Sequence, residues 1–225
     1  MQPRAEQTRR ELIRAAAKLI RRTGLRSAGL TAISREAGVS RGALNFHFPT
    51  KDALATAVYN QARADVIALL DAAFSDLSRE PAPRFGDALI SVSHEDPVVG
   101  AGLYLGADGT EESVPRLREE VLEALHERTV MRLRSCPGAA AVADLAVVIT
   151  AGLESLDRAG VGWRDPESLS RVWDLVLPLF TAGKPAGEAG APGSRVQGAA
   201  AATSWPRDPA GPDGPSTREK PAEHP

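Results

Sequence analysis

The sequence predicts an all-α fold, a three-helix head of the helix-turn-helix kind on a larger helical body. Apolar residues recur at helical spacing over 6–181, with no convincing alternating strand. Gly and Pro punctuate that pattern at intervals suited to short connections. The stretch 30–54, LTAISREAGVSRGALNFHFPTKDAL, spells two short helices joined by a glycine-containing turn.

The first helix is expected over 6–23. Leu12, Ile13, Ala16, Leu19 and Ile20 share one face, Arg10, Arg14, Arg21 and Arg22 lie largely elsewhere, and Gly24 ends it. Leu30, Ile33 and Ala37, at i, i+3 and i+7, make the apolar stripe of the second helix, and Gly38 supplies the left-handed residue that closes it. Ser40 is the natural N-cap of a third helix, buried through Val39, Leu44 and Phe48, that turns Arg41, Asn45 and the Ser40 hydroxyl outward. Phe46 and Phe48 both read as core side chains, because duplex DNA offers no splayed bases for stacking.

Pro49 and Thr50 break the chain, and Thr50 caps a long helix starting at Lys51 with Leu54, Val58, Ala62, Val66 and Leu70 on its buried stripe; Pro81 and Pro83 are expected to close it. Further helices are expected over 84–94, 97–106, 115–135, 139–159 and 166–181. Asp108–Gly109 and Pro137–Gly138 mark turns, and Asp96–Pro97 and Asp165–Pro166 pair an N-cap with an N1 proline. From Gly183 the chain is Pro, Gly and Ala with almost no large aliphatic residue and a lone Trp205, a composition too apolar-poor to offset its ordering entropy. The expected organisation is a DNA-binding head over 1–53, a ligand-binding and dimerisation body over 54–182, and a disordered tail over 183–225.

The formal net charge of −2 conceals an asymmetry. Through Lys51 there are eleven Lys and Arg against three Asp and Glu, a net of +8; the remainder, with 16 basic and 26 acidic residues, carries −10. The head is thus a cationic module with the field that attracts phosphate. The single cysteine, Cys136, excludes an internal disulfide and fits a reducing compartment. No apolar run approaches the roughly 20 residues of a membrane span, and the basic amphipathic N-terminus lacks the pattern of a signal peptide. A cytoplasmic protein without membrane partners is expected. The sequence contains no G-x-S-x-G, phosphate-binding loop, C-x-x-C or H-E-x-x-H, and its four histidines are scattered, so neither an enzyme nor a cofactor is expected.

On such a head, phosphate contacts supply affinity and base edges supply specificity. Arg41 fits either a guanine O6/N7 edge or a phosphate; Asn45, one turn on, fits adenine N6/N7 or a phosphate. Thr31 and Ser40 stand at helix N-termini, where a hydroxyl caps the helix or meets a phosphate oxygen. Gly42 and Ala43 keep the helix slim enough to enter the groove. One head of about 50 residues binds weakly, so a homodimer on a pseudo-palindromic double-stranded operator is the geometric expectation.

The run VSRGALNFHFPTKDAL at 39–54 resembles the signature of TetR-type regulators. The resemblance implies backbone-phosphate contacts from His47 and Lys51, and an aromatic where this chain has Asn45. It also implies a four-helix dimer interface from the last two helices, through Leu145, Ile149, Leu153, Val172, Val176 and Phe180. Together with the ALNFHF ending, DPVVGAGLYL at 96–105 resembles the γ-butyrolactone autoregulator receptors, a TetR subgroup. This implies a repressor that a small signalling lactone releases from DNA, with a pocket wall drawn from Leu103, Tyr104, Met131, Val148 and Trp163. Lactone-binding members place a Trp in the helix corresponding to 118–133, which here has none. An unrelated ligand, activation in place of repression, and a helical protein-interaction module remain the alternatives at this level.

Overall fold

The computed structural model of the 225-residue chain describes residues 3–76, 80–105, 116–159, 171–176 and 178. The described residues contain eight full helices and no strand: α1 (Pro3–Ser27), α2 (Leu30–Glu36), α3 (Arg41–His47), α4 (Lys51–Ser75), α5 (Pro81–Glu95), α6 (Pro97–Tyr104), α7 (Leu117–Arg132) and α8 (Ala139–Arg158). Residues 171–176 are helical as well. The expected turn at Asp108–Gly109, the Asp165–Pro166 cap, Trp163, Phe180 and the 183–225 tail with Trp205 lie outside the described residues.

In the head, α1 runs past its expected end but bends at Gly24, whose φ of 76° and ψ of 159° are not helical. That positive φ is what glycine makes possible, and it turns the last residues toward α2. A Schellman motif closes α2: Gly38, at φ 66°, donates to the Arg35 carbonyl at 3.1 Å and Val39 donates to Ser34 at 3.0 Å. Ser40 then caps α3 by accepting from the Ala43 N–H at 3.1 Å. Leu12, Ile20, Ile33, Leu44 and Phe48 fill the space between these three helices. Each such side chain contributes about 1.5–3 kcal/mol on burial, which is what holds helices as short as seven residues in place.

The expected stripe of α4, Leu54, Val58, Ala62, Val66 and Leu70, is buried throughout. This helix runs through the expected head–body boundary without a break and packs on α1, α5, α6 and α7. Pro81 and Pro83 do not close α4, which stops at Ser75. They open α5, in whose first turn a missing N–H costs nothing.

The short α6 is seated by its glycines. A Cβ on Gly102 would overlap that of Ala62 on α4, and one on Gly100 would lie 2.5 Å from the Ser93 carbonyl and 2.9 Å from Cζ of Arg21 on α1. Asp96 caps this helix through the Val98 N–H at 2.7 Å and pairs with Arg14 of α1 at 3.9 Å. Gly100 is therefore a close-approach position between head and body, and Gly102 one within the body.

Helices α7 and α8 pack along each other. Arg118 donates from Nε to Glu154 at 2.7 Å and from Nη2 to the Ala151 carbonyl and Ser155 hydroxyl at 3.1 and 3.0 Å. Arg158 adds a second guanidinium on Glu154 at 3.0 Å, so this buried carboxylate is paired. Contrary to the sequence expectation, α8 has the length and apolar content of a membrane-spanning helix. Yet it carries Glu154 and Asp157 in the protein interior, so its apolar character serves packing on that side.

Candidate nucleic-acid interface

Recognition geometry starts with Leu44, wholly buried, which anchors α3 against the head core and fixes which face looks out. That face presents Arg41, Gly42 and Asn45 to solvent, with Ser40 and Thr31 exposed nearby. The Ser40 hydroxyl is engaged as the α3 cap. Thr31 sits in the first turn of α2, whose cap is Gly29 without a side-chain bond. Gly42 has no intramolecular reason to be glycine: a Cβ there would meet only Ser40 Oγ, at 3.8 Å.

His47 is half-buried between two rings, 5.3 Å from Phe46 in a T-shaped arrangement and 6.5 Å from Phe48. The Phe48 ring is core, covered by the Arg9 guanidinium at 5.4 Å. Lys51 Nζ donates to the Arg26 carbonyl at 2.8 Å, tying the start of α4 to the end of α1. Arg41 is exposed and Lys51 half-buried, and α1 of the same head carries further exposed arginines.

The sequence reading misplaced Phe46. It is 82% exposed, not core. Leu44, two positions earlier, is fully buried, and a two-residue step of about 200° carries Phe46 to the opposite side of α3. The helical wheel held that signal; reading the two phenylalanines as a pair obscured it.

Among the described residues, two cavities bear on the expected ligand site. A small one, about 10 Å³, is lined by Leu89, Leu103, Arg118, Val121, Leu122, Thr150, Ala151 and Glu154. Thr150 Oγ1 is buried there without a hydrogen-bond partner, and it adjoins Gly86 and the buried Trp173. Trp173 donates to Asp87 at 3.3 Å, which fastens the last described helical segment to α5. The larger cavity, about 380 Å³, opens where α1, α5, α6 and α8 meet and includes Arg21, His94, Tyr104, Asp157 and Arg158. In it His94 Nε2 lies 2.5 Å from Asp157 Oδ2.

Of the expected wall residues, Leu103 borders both cavities and Tyr104 the larger. Met131 and Val148 border neither, being 64% and 67% exposed on the outer faces of α7 and α8. Met131 comes two residues after the buried Thr129 and Val148 one before the half-buried Ile149, steps of about 200° and 100° around a helix. Thr150 lines the small cavity and was not among the expected wall residues; the packing of α5 on α8 is what places it there, beside Gly86.

The residues expected at the dimer interface differ in exposure. Leu153 is buried within the protomer, and Leu145, Ile149, Val172 and Val176 are half-buried. An exposed apolar line on α8 runs through Ala141, Val148 and Gly152, and Leu175 is 80% exposed.

Residues 12–58 match the family of bacterial regulatory proteins known as the tetR family. The chain is 40% identical over 65 residues to the A-factor receptor protein of Streptomyces griseus, a match covering 29% of this chain and 24% of that protein. A γ-butyrolactone receptor described as ArpA-like has a similar structure, with TM-score 0.63 and 28% identity over 77% of this chain and 88% of its own. The TetR-family protein CprB from Streptomyces coelicolor, solved in complex with its biological operator sequence, aligns with TM-score 0.59 and 28% identity, covering 81% of this chain and 91% of its own.

Proposed function

From the premise that this chain is a TetR-type DNA-binding regulator, similar over most of its length to γ-butyrolactone receptors, we propose that it works as a homodimeric repressor of a pseudo-palindromic operator. A small molecule of the γ-butyrolactone kind releases it. The observation that carries this reading is the solvent-facing Arg41, Gly42 and Asn45 on a helix locked from behind by Leu44.

In this reading Arg41 and Asn45 reach base edges in the major groove, Gly42 leaves room for close approach, and Thr31, Ser40, His47 and Lys51 hold phosphates. Lys51 uses one of its three donors on the Arg26 carbonyl, leaving the others for the DNA backbone. The partner protomer covers the exposed apolar line of α8 together with Leu175, and the twofold axis sets two heads on successive grooves. The protein acts in the cytoplasm and performs no catalysis.

The ligand enters the apolar space around Leu89, Leu103, Val121 and Leu122, where the unpartnered Thr150 hydroxyl supplies a hydrogen bond to a lactone carbonyl. At about 10 Å³ that space is nearly closed, so ligand favours a different body conformation and shifts the population away from the DNA-binding one. By linkage, operator weakens ligand binding as much as ligand weakens operator binding.

Selecting bound duplexes from a random pool, then competing them with synthetic γ-butyrolactones, tests both halves. Enrichment of a palindrome that lactone releases supports the reading. Equal lactone affinity with and without operator contradicts the release mechanism, and an unenriched pool contradicts DNA recognition.

A further inference from the structure

We infer that Phe46 is a specificity-determining residue of the reading face, packing its ring on the C5 methyl of a thymine in the major groove; this rests on the DNA-binding function proposed above. Phe46 is 82% exposed on a seven-residue helix whose other outward side chains are those of Arg41 and Asn45. Among the described residues its one ring contact is edge-on to His47 at 5.3 Å, and the head core is complete without it. A large apolar side chain gains nothing from water, and this one shares its face with residues suited to DNA.

The chemistry narrows its partner. Phenylalanine has no donor or acceptor, so it can bond neither a phosphate nor a base edge. Duplex DNA presents no splayed base for it to stack on. The apolar group that a base pair shows in the major groove is the thymine methyl, which also distinguishes T·A from the other pairs there. Phe46 follows Asn45 directly, and adjacent Cα atoms lie about 3.8 Å apart, close to the base-pair rise of about 3.4 Å. The thymine it covers therefore lies within about two base pairs of the position that Asn45 contacts.

The test uses the full chain and the palindromic duplex that it selects from a random pool. Each thymine is replaced in turn by deoxyuridine, which removes the methyl and leaves pairing intact. For the native chain, one thymine per half-site is expected to cost about fourfold in Kd, the ratio that follows from about 0.8 kcal/mol per methyl buried. The Phe46→Ala variant binds the unmodified duplex more weakly and loses that discrimination. Its melting temperature and the salt dependence of binding stay unchanged, since no core contact and no phosphate contact is lost.

Less than a twofold effect at every thymine overturns the inference, as does an undiminished uracil penalty in Phe46→Ala. A pool without any enriched duplex overturns the DNA-binding function first, and this inference with it.

Discussion

Arg21 of the head helix α1 lies across Gly100 of α6, its Cζ 2.9 Å from where a Cβ would stand, and donates to the His94 carbonyl at 3.4 Å. With Arg14 on Asp96, this contact joins the head to the segment of the body that resembles the lactone receptors. Substituting Gly100→Ala drives a methyl into the Ser93 carbonyl, a backbone atom that cannot rotate away. The expected cost is about 1–3 kcal/mol of stability, a fall in Tm of roughly 2–4 °C per kcal/mol. Thermal unfolding checks it, and an unchanged Tm means that α6 shifts freely.

Gly42→Ala separates fold from function. The added methyl meets only Ser40 Oγ, at 3.8 Å, and removing a helix glycine stabilises by up to about 1 kcal/mol. Tm is expected to hold or rise while operator affinity falls at least tenfold, measured by fluorescence anisotropy on the selected duplex.

Thr150→Val conserves shape and removes the buried hydroxyl that has no partner. Leaving such a group unpaired costs about 1–3 kcal/mol, so the variant is expected to be more stable by about 1 kcal/mol in urea unfolding. Its operator binding is expected to be intact and its release by lactone blunted. Native-like release would place the ligand elsewhere.

Val148→Arg puts a charge on the exposed line of α8 without touching the protomer core. A chain that remains helical but sediments as a monomer, with operator affinity reduced tenfold or more, is the expected result. Leu153→Arg, at a buried position, is expected instead to unfold the body by leaving a charge unpaired inside.

Glu120 ties α7 to α4, accepting from Arg63 Nε and from the Tyr59 hydroxyl, both at 2.5 Å. The Arg63 hydrogen bond, aided by that of Tyr59, holds its carboxyl below the ordinary value of 4.5 against a desolvation that pushes it up. A carboxylate lowered on folding stabilises above its unfolded pKa, and the stabilisation is lost as pH falls through the folded value. The native chain is expected to lose more stability between pH 5 and pH 3 than Glu120→Gln, with water exposure of the pair keeping the difference small. Urea midpoints across that range check the sign.

Much of the head was legible because its signals are local. Gly38, Ser40 and Thr50 each impose one backbone geometry whatever surrounds them, and the stripe from Leu54 to Leu70 repeats for about four turns. The body was less legible because its signals are relational. Whether Val148 or Leu153 faces outward depends on how α8 rolls against α7, which the buried Arg118–Glu154 pair decides from 36 residues away. Thr150 gave no sign in sequence, because an unpartnered hydroxyl is defined by what packs around it. Pro81 and Pro83 misled since proline ends one helix as readily as it opens the next.

Central to this account is a head that holds DNA through its cationic face. The most direct measurement is the dependence of log K on log salt for the selected palindrome. The account predicts two chains per duplex and a steep linear fall, with a slope corresponding to roughly 6–10 neutralised phosphates, reduced by about one for each head that carries Lys51→Ala. A shallow slope shared equally by unrelated duplexes, with Arg41, Asn45 and Lys51 all replaceable, would contradict it.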